Sequence, residues 1–196
     1  MAEVPLSFGL LLFGAALADV LDGEGSGALR RLAVAAAWIA ATKNEGLFFA
    51  AAGCAIALAL GGRRRWKAAL AALPTALVIQ GLHLAWRGRL PLRDFDFGAF
   101  TPARMGEALA AAWRVAGVGG LAGLALVVAL AVLGSDSSAS RAMLALALCG
   151  TAAYLVLPAF AVRGPGWMIE TTLPRTTAAL GPLIAAGVAE RYARRT

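Results

Sequence analysis

The stretch Ala41-Thr42-Lys43-Asn44-Glu45-Gly46 places a cation, an amide, an acid and a glycine inside a long apolar region. The flanking segments, residues 32–41 and 47–60, carry no charged side chain. A charged side chain at the centre of a membrane-inserted helix costs about 2.5–3.5 kcal/mol. We therefore expect this polar run to lie at a membrane boundary or to line a polar cavity.

The composition of the whole chain is that of an integral membrane protein. Of the 196 residues, 60% are hydrophobic and 15% are charged, whereas soluble domains are about 45–50% apolar and about 25% charged. Ala and Leu dominate the apolar residues and favour helices, and the alternating segments of a membrane β-barrel are absent. The sequence thus predicts an all-α, polytopic bundle in one transmembrane domain, residues 1–196.

Seven apolar segments are candidate membrane spans. They cover residues 5–20, 31–42, 46–61, 67–86, 115–133, 142–162 and 175–190. The second is much shorter than the ~20 residues of a straight span, and half of a broken helix is an alternative reading of it. Cys54 and Cys149 lie inside apolar segments, so we expect packing residues rather than a disulfide.

The basic clusters suggest an orientation in the membrane. Arg63, Arg64, Arg65 and Lys67 form the densest cluster, and more arginines end the chain. Lys and Arg collect on the cytoplasmic side of membrane proteins, so we expect an outer N-terminus and an inner C-terminus. The net charge of +7 then reflects topology, and no nucleic-acid partner is expected. The excess of inner over outer cations is small, so the charges alone leave the orientation open.

Two connections on the expected outer side are long enough to hold a site. In the first connection, residues 87–114, Thr101-Pro102 predicts the N-terminus of a helix that runs to about Arg114 and lies at the membrane surface. The alternative is a helix continuous with the fifth span. In the second, Gly164-Pro165-Gly166 predicts an irregular loop over residues 163–175, with the last helix starting near Pro174.

The candidate substrate-binding residues fall on this same side. They are Lys43, Glu45, His83, Arg163, Glu170 and Arg175. An arginine fork suits a phosphate group, and a cation in the first turn of a helix opposes the helix dipole, which singles out Arg175. Simpler readings stay open for all of them: a solvated turn at Lys43–Glu45, a packing histidine, and an Arg/Trp anchor at the membrane interface.

Several of these motifs resemble those of bacterial polytopic membrane glycosyltransferases of the GT-C fold, the relatives of protein mannosyltransferases and aminoarabinose transferases. The resemblance lies in Ala2-Glu3-Val4-Pro5-Leu6, in the Thr42-Lys43-Asn44-Glu45-Gly46 break, and in Thr172-Leu173-Pro174-Arg175 before Pro182. It follows the chain in order over most of its length, but each motif is short.

The resemblance implies a reaction at the outer face of the bacterial inner membrane. A sugar would pass from a polyprenyl-phosphate donor to a lipid, glycan or protein, with an Asp or Glu as general base and cations on the lipid phosphate. A divalent metal assists in some members; Asp94 and Asp96 are only a weak metal signal. Lys43 and Glu45 would line the cavity, and Arg175 would contact the phosphate.

One feature of the family has no counterpart in this sequence. The acidic first loop that supplies the base normally precedes the Ala-Glu-x-Pro-Leu segment, so no catalytic residue is assigned. We therefore expect a C-terminal portion of such an enzyme, working with a missing N-terminal half or a partner subunit. Two alternatives stay open: a small transporter, with the Lys43–Glu45 break as a discontinuous helix, and a non-catalytic membrane subunit.

Overall fold

A computed structural model describes residues 3–23, 27–42, 45–60, 65–87, 100–132, 137–160 and 164–193, and this described part of the chain is almost entirely helical. Its helices are α1 (Glu3–Asp22), α2 (Ala28–Thr42), α3 (Glu45–Leu60), α4 (Arg65–Arg87), α5 (Pro102–Val132), α6 (Ser138–Val156) and α7 (Pro165–Ala193), with a 3-10 helix, Leu157–Phe160, between the last two. The predicted all-α fold is therefore confirmed for these residues.

The first four helices pack antiparallel to their neighbours in the chain. The indole Nε1 of Trp38, late in α2, donates to the Pro5 carbonyl at the start of α1 over 3.1 Å. Gly46, at the start of α3, packs against the Ile39 backbone. The Cys54 thiol of α3 contacts the Ala69 carbonyl of α4.

Helices α6 and α7 continue this arrangement around α1. The Ser140 hydroxyl of α6 donates to the Gly187 carbonyl of α7 over 2.7 Å, and the Ser138 hydroxyl donates to the Asp22 carboxylate at the end of α1. The bundle consequently has two ends. At one end, which we call the Glu45 end, the N-terminal parts of α1 and α3 meet the C-terminal parts of α2, α4 and α6. At the other, the Asp22 end, the C-terminus of α1 meets the start of α6.

The apolar core has two parts. The main core joins α1, α2, α3, α4, α6 and α7, with Phe13, Phe49, Leu32 and Leu183 among its most buried side chains. A smaller core joins the first part of α5 to the first part of α7, through Ala108, Ala111, Ala112, Ile169 and Leu173. Helix α4 packs on α2 and α3, and α5 packs on α6 and α7, so these two helices lie on opposite flanks.

The segment after Gly164 differs from the sequence prediction. Residues 165–175 were expected to form an irregular loop, but they are the first part of α7, and Pro174 lies inside that helix. The helix begins after Gly164, which adopts a φ of 88°. Pro165 is the first helical residue, a position whose N–H makes no helical hydrogen bond, so proline is well tolerated there. Arg175 is thus in the middle of α7, and the argument from an unfavourable helix-dipole position does not apply.

The predicted start of α5 is correct, because the helix begins at Pro102 and the Thr101 hydroxyl accepts from the Arg104 amide over 3.3 Å. The helix runs on to Val132, but Gly117 breaks it with φ 59° and ψ −167°. Residues 102–116 therefore form a separate helical segment ahead of the predicted fifth span.

Among the described residues, two helices are both long enough and apolar enough to cross a membrane. They are Val4–Asp22 and Ser138–Phe160, about half of each being buried in the bundle; Glu45–Leu60 is apolar but shorter. This supports an association with a membrane, and crossing by all seven helices stays a prediction. Cys54 and Cys149 are free thiols, as expected.

Candidate functional site

Helices α2 and α3, which lie on either side of the Lys43–Glu45 break, pack against each other as a helical hairpin. Helix α2 ends at Thr42 and α3 begins at Glu45, where a carboxylate is favourable to the helix dipole. A Cβ at Gly46 would collide with the Ile39 carbonyl and lie 2.6 Å from the Ala40 amide nitrogen. The glycine therefore lets two backbones touch, and the partly buried Glu45 is held at the end of the bundle. Lys43 lies outside the described residues.

A second polar group lies where α5 packs on the start of α7. Arg114 Nη2 is 3.4 Å from Glu170 Oε1, with both side chains more than half exposed. A Cβ added at Gly166 would lie 3.4 Å from Glu107 Oε1 and 3.9 Å from Arg114 Nη2. Two acids and a cation thus meet against the first two turns of α7. Such an exposed ion pair contributes little stability.

Arg175 lies next to an apolar groove. The groove has a volume of about 310 Å³ and lies between the N-terminal half of α1 and the middle of α7. Its lining residues are Val4, Ser7, Phe8, Leu11, Ala178, Ala179 and Pro182. Residues three, four and seven positions apart share a helix face, so the exposed Arg175 lies on the α7 face that lines the groove, towards the Glu45 end. A cation at the end of an apolar groove suits an amphiphile with an anionic head.

His83 lies near the C-terminus of α4, at the Glu45 end. The side chain is partly buried, and its Nδ1 atom is buried without a hydrogen-bond partner among the described residues. Gln80, one turn earlier, is 7% exposed. These two polar side chains lie on the α4 face towards α2 and α3, so His83 belongs to the Glu45 side of the bundle rather than to the groove.

The structure places the described candidates at one end of the bundle but not in one cavity. Glu45 and His83 belong to α3 and α4, and Glu170 and Arg175 belong to α7, which packs on α1, α5 and α6. The groove beside Arg175 contains neither Glu45 nor His83. Arg163 lies outside the described residues, as do Asp94 and Asp96.

The sequence reasoning overlooked Glu107, Arg114 and the apolar groove. Glu107 and Arg114 are seven residues apart in the sequence, with Ala111 between them, and this spacing could have shown that they face a common neighbour. The groove carried no such signal, because it is formed by helices distant in sequence. In the described part of the chain, no group of three or more His, Cys, Asp or Glu side chains could hold a metal ion.

Comparison of the chain with protein-family models, with curated protein sequences and with solved structures finds no match.

Proposed function

We propose that this chain is the C-terminal membrane portion of a polytopic glycosyltransferase, which uses a polyprenyl-phosphate sugar as donor at the outer face of the bacterial inner membrane. The sugar passes to a lipid, glycan or protein acceptor. All seven helices cross the bilayer in this proposal, and the Glu45 end faces outwards. No residue of this chain is assigned as the general base.

The observation that carries the proposal is the position of Arg175 beside the groove between α1 and α7. A polyprenyl phosphate combines a long apolar chain with an anionic head, and both of its parts have a counterpart here. Apolar side chains such as Phe8 and Leu11 line the groove, and the guanidinium group of Arg175, one turn before Ala178 on α7, suits a phosphate. The short motifs that resemble the GT-C family add the sugar-transfer chemistry to this lipid site.

The helical hairpin at Lys43–Glu45 favours the enzyme over the transporter alternative. A transporter would use the break as an unwound point within one membrane-crossing helix. Here α2 ends at Thr42, α3 begins at Glu45 and the two helices are in close contact at Gly46, so the break separates two helices at the end of the bundle. A donor that enters the groove from the bilayer would meet polar side chains at that same end.

The test is the affinity of the chain, in lipid nanodiscs, for a short polyprenyl phosphate. Arg175→Gln should weaken binding about tenfold to a hundredfold, since a hydrogen bond to a charged group contributes about 1.5–3 kcal/mol. Arg30→Gln is the matched control, because Arg30 is an exposed cation near the Asp22 end and should not matter. Equal affinities of Arg175→Gln and the unchanged chain would show that Arg175 does not bind the phosphate.

Two further measurements separate the alternatives. The corresponding polyprenol, which lacks the phosphate, should bind both variants equally, because only the head group meets Arg175. Transfer of a labelled sugar from the donor is then measured in membranes containing the full gene product. Binding without transfer would indicate a non-catalytic subunit. The absence of both binding and transfer would refute the proposal.

A further inference from the structure

One face of α4 carries an exposed apolar ridge along its whole length. Every fourth residue belongs to it: Trp66, Leu70, Pro74, Val78, Leu82 and Trp86. The five large side chains other than Pro74 are 60–71% exposed, and Pro74 is exposed too. Residues four apart are neighbours on a helix surface, and with 3.6 residues per turn a row at this spacing slants around the axis. These six therefore form a continuous ridge that winds around α4 opposite the row of buried alanines.

The ridge has the length of a bilayer core. Trp66 and Trp86 are 20 residues apart, which at a rise of 1.5 Å per residue corresponds to about 30 Å, the thickness of the hydrocarbon region. Tryptophan is enriched at both membrane interfaces. Residues 68–86 contain no Asp, Glu, Lys or Arg, whereas Arg65, Lys67 and Arg87 stand at the two ends. Cations there can reach the head groups.

The opposite face of α4 has the composition of a helix contact inside a membrane. Ala68, Ala72 and Ala76 are at most 2% exposed and join the main core with α2 and α3. Helices in lipid approach one another through such small residues at four-residue spacing. Gln80 and His83, the polar side chains of the second half, are also turned towards the protein. The row of α4 that faces the protein thus consists of small and polar residues, and the exposed ridge consists of large apolar ones and Pro74.

We infer that α4 is the lipid-facing boundary helix of the bundle, with its ridge in contact with acyl chains and with Trp66 and Trp86 at the two interfaces. The large side chains of the ridge fit lipid rather than a second copy of the chain, which would be expected to dock through small residues. Helix α4 therefore crosses the bilayer, although it is not one of the two helices that qualify by length and composition. This inference does not rest on glycosyl transfer.

The experiment uses nitroxide labels on single cysteines in a background without native thiols (Cys54→Ala, Cys149→Ala). Leu70→Cys, Val78→Cys and Leu82→Cys sample the ridge, Lys67→Cys samples its end, and Ala72→Cys is the control on the protein-facing side. The labelled protein is reconstituted in vesicles of phosphatidylcholine and phosphatidylglycerol. Collision rates with oxygen, which concentrates in the bilayer, and with a water-soluble nickel chelate are measured by electron paramagnetic resonance.

The ratio of oxygen to nickel collisions should be highest at Val78→Cys, lower at Leu70→Cys and Leu82→Cys, and lowest at Lys67→Cys. The Ala72→Cys label should be shielded from both reagents. If the three ridge labels are shielded like the control, another protein surface covers the ridge. If nickel reaches Val78→Cys as readily as Lys67→Cys, the ridge lies in water. Either result would overturn the inference, and three separate ridge positions guard against one misfolded variant.

Discussion

Gly46 shows how one residue sets the geometry of the hairpin between α2 and α3. The Lys43–Glu45 run does not by itself determine how closely α2 and α3 approach each other. Because Gly46 has no side chain, the backbones of the two helices touch at Ile39 and Ala40. The colliding groups are backbone atoms, which cannot rotate away as a side chain can. The position of Glu45 at the end of the bundle thus follows from the residue beside it.

Gly46→Ala is expected to destabilise the bundle by about 1–3 kcal/mol or more, because the new methyl group overpacks a contact made by backbone. The measurement is reversible unfolding in mixed detergent micelles. Gly81→Ala is the control: a Cβ at this exposed position in α4 meets nothing within 4 Å, and Ala is the better helix former by about 0.8–1 kcal/mol. Equal stability of Gly46→Ala and the unchanged protein would show that the two helices are not in close contact.

At the scale of elements, α5 is divided into two segments by the backbone of Gly117. Its φ of 59° and ψ of −167° fall close to a region that essentially only glycine occupies. The first segment, residues 102–116, packs its alanines on α7 and leaves Leu109 and Trp113 exposed by 52% and 55%. A helix with its large apolar side chains outward is suited to lying against the membrane surface.

Gly117→Ala should displace the first segment of α5 from α7. The added methyl group has open space around it, so the strain, about 1–3 kcal/mol, comes from the backbone conformation alone. Straightening α5 relieves that strain and separates Arg114 from Glu170. Distances between spin labels at Leu109 and Thr177 should broaden or lengthen.

Gly106→Ala, within the regular helix of the same segment and also surrounded by open space, is the control and should leave that distance distribution unchanged. An unaltered distribution in Gly117→Ala as well would mean that the break in α5 is not needed to hold the segment on α7.

On the scale of the whole molecule, the antiparallel packing sorts the charges between the two ends of the bundle. Within the described ranges, the cations at the Asp22 end include Arg30, Arg31, Lys67, Arg141 and Arg191, and those at the Glu45 end include Arg104, Arg114 and Arg175. Side chains at the Asp22 end also join neighbouring helices, through the Arg31–Asp19 ion pair at 2.7 Å and the Ser138–Asp22 hydrogen bond.

The Asp22 end, and with it the C-terminus, is predicted to face the cytoplasm, since Lys and Arg in short connections are retained on that side. Fusions at the C-terminus check this directly. A fused green fluorescent protein should fluoresce, and a fused alkaline phosphatase, which needs an oxidising compartment, should stay inactive. An active phosphatase with a dark fluorescent protein would reverse the orientation and place Arg175 on the inner side.

The sequence predicted the helices better than it predicted their ends and neighbours. The helix start at Pro102 was readable, because the Thr101–Pro102 pair acts over a few residues. A turn at Lys43–Glu45 was only one of the readings that the sequence left open. The prediction of an irregular loop over residues 163–175 was wrong. Gly164 and Pro165 begin α7 instead of preventing a helix, and Pro174 lies inside that helix.

The candidate site was only partly predictable for a physical reason. Sequence patterns placed Glu45, Glu170 and Arg175 among the candidates, but the groove depends on α1 and α7, which lie at opposite ends of the chain. Periodicity within one helix carries no information about which distant helix packs on it. The proximity of Phe8 to Ala178 and Pro182 is therefore a result of the three-dimensional structure alone.

The central claim, that a polyprenyl phosphate occupies the groove between α1 and α7, is tested most directly by photo-cross-linking in vesicles. The probe is a polyprenyl phosphate with a diazirine in the isoprenoid unit next to the phosphate, and mass spectrometry locates the adducts. Adducts should concentrate in residues 4–11 and 178–182 and disappear when unlabelled polyprenyl phosphate competes. Adducts spread over the exposed ridge of α4 and the other apolar surfaces, without competition, would contradict it.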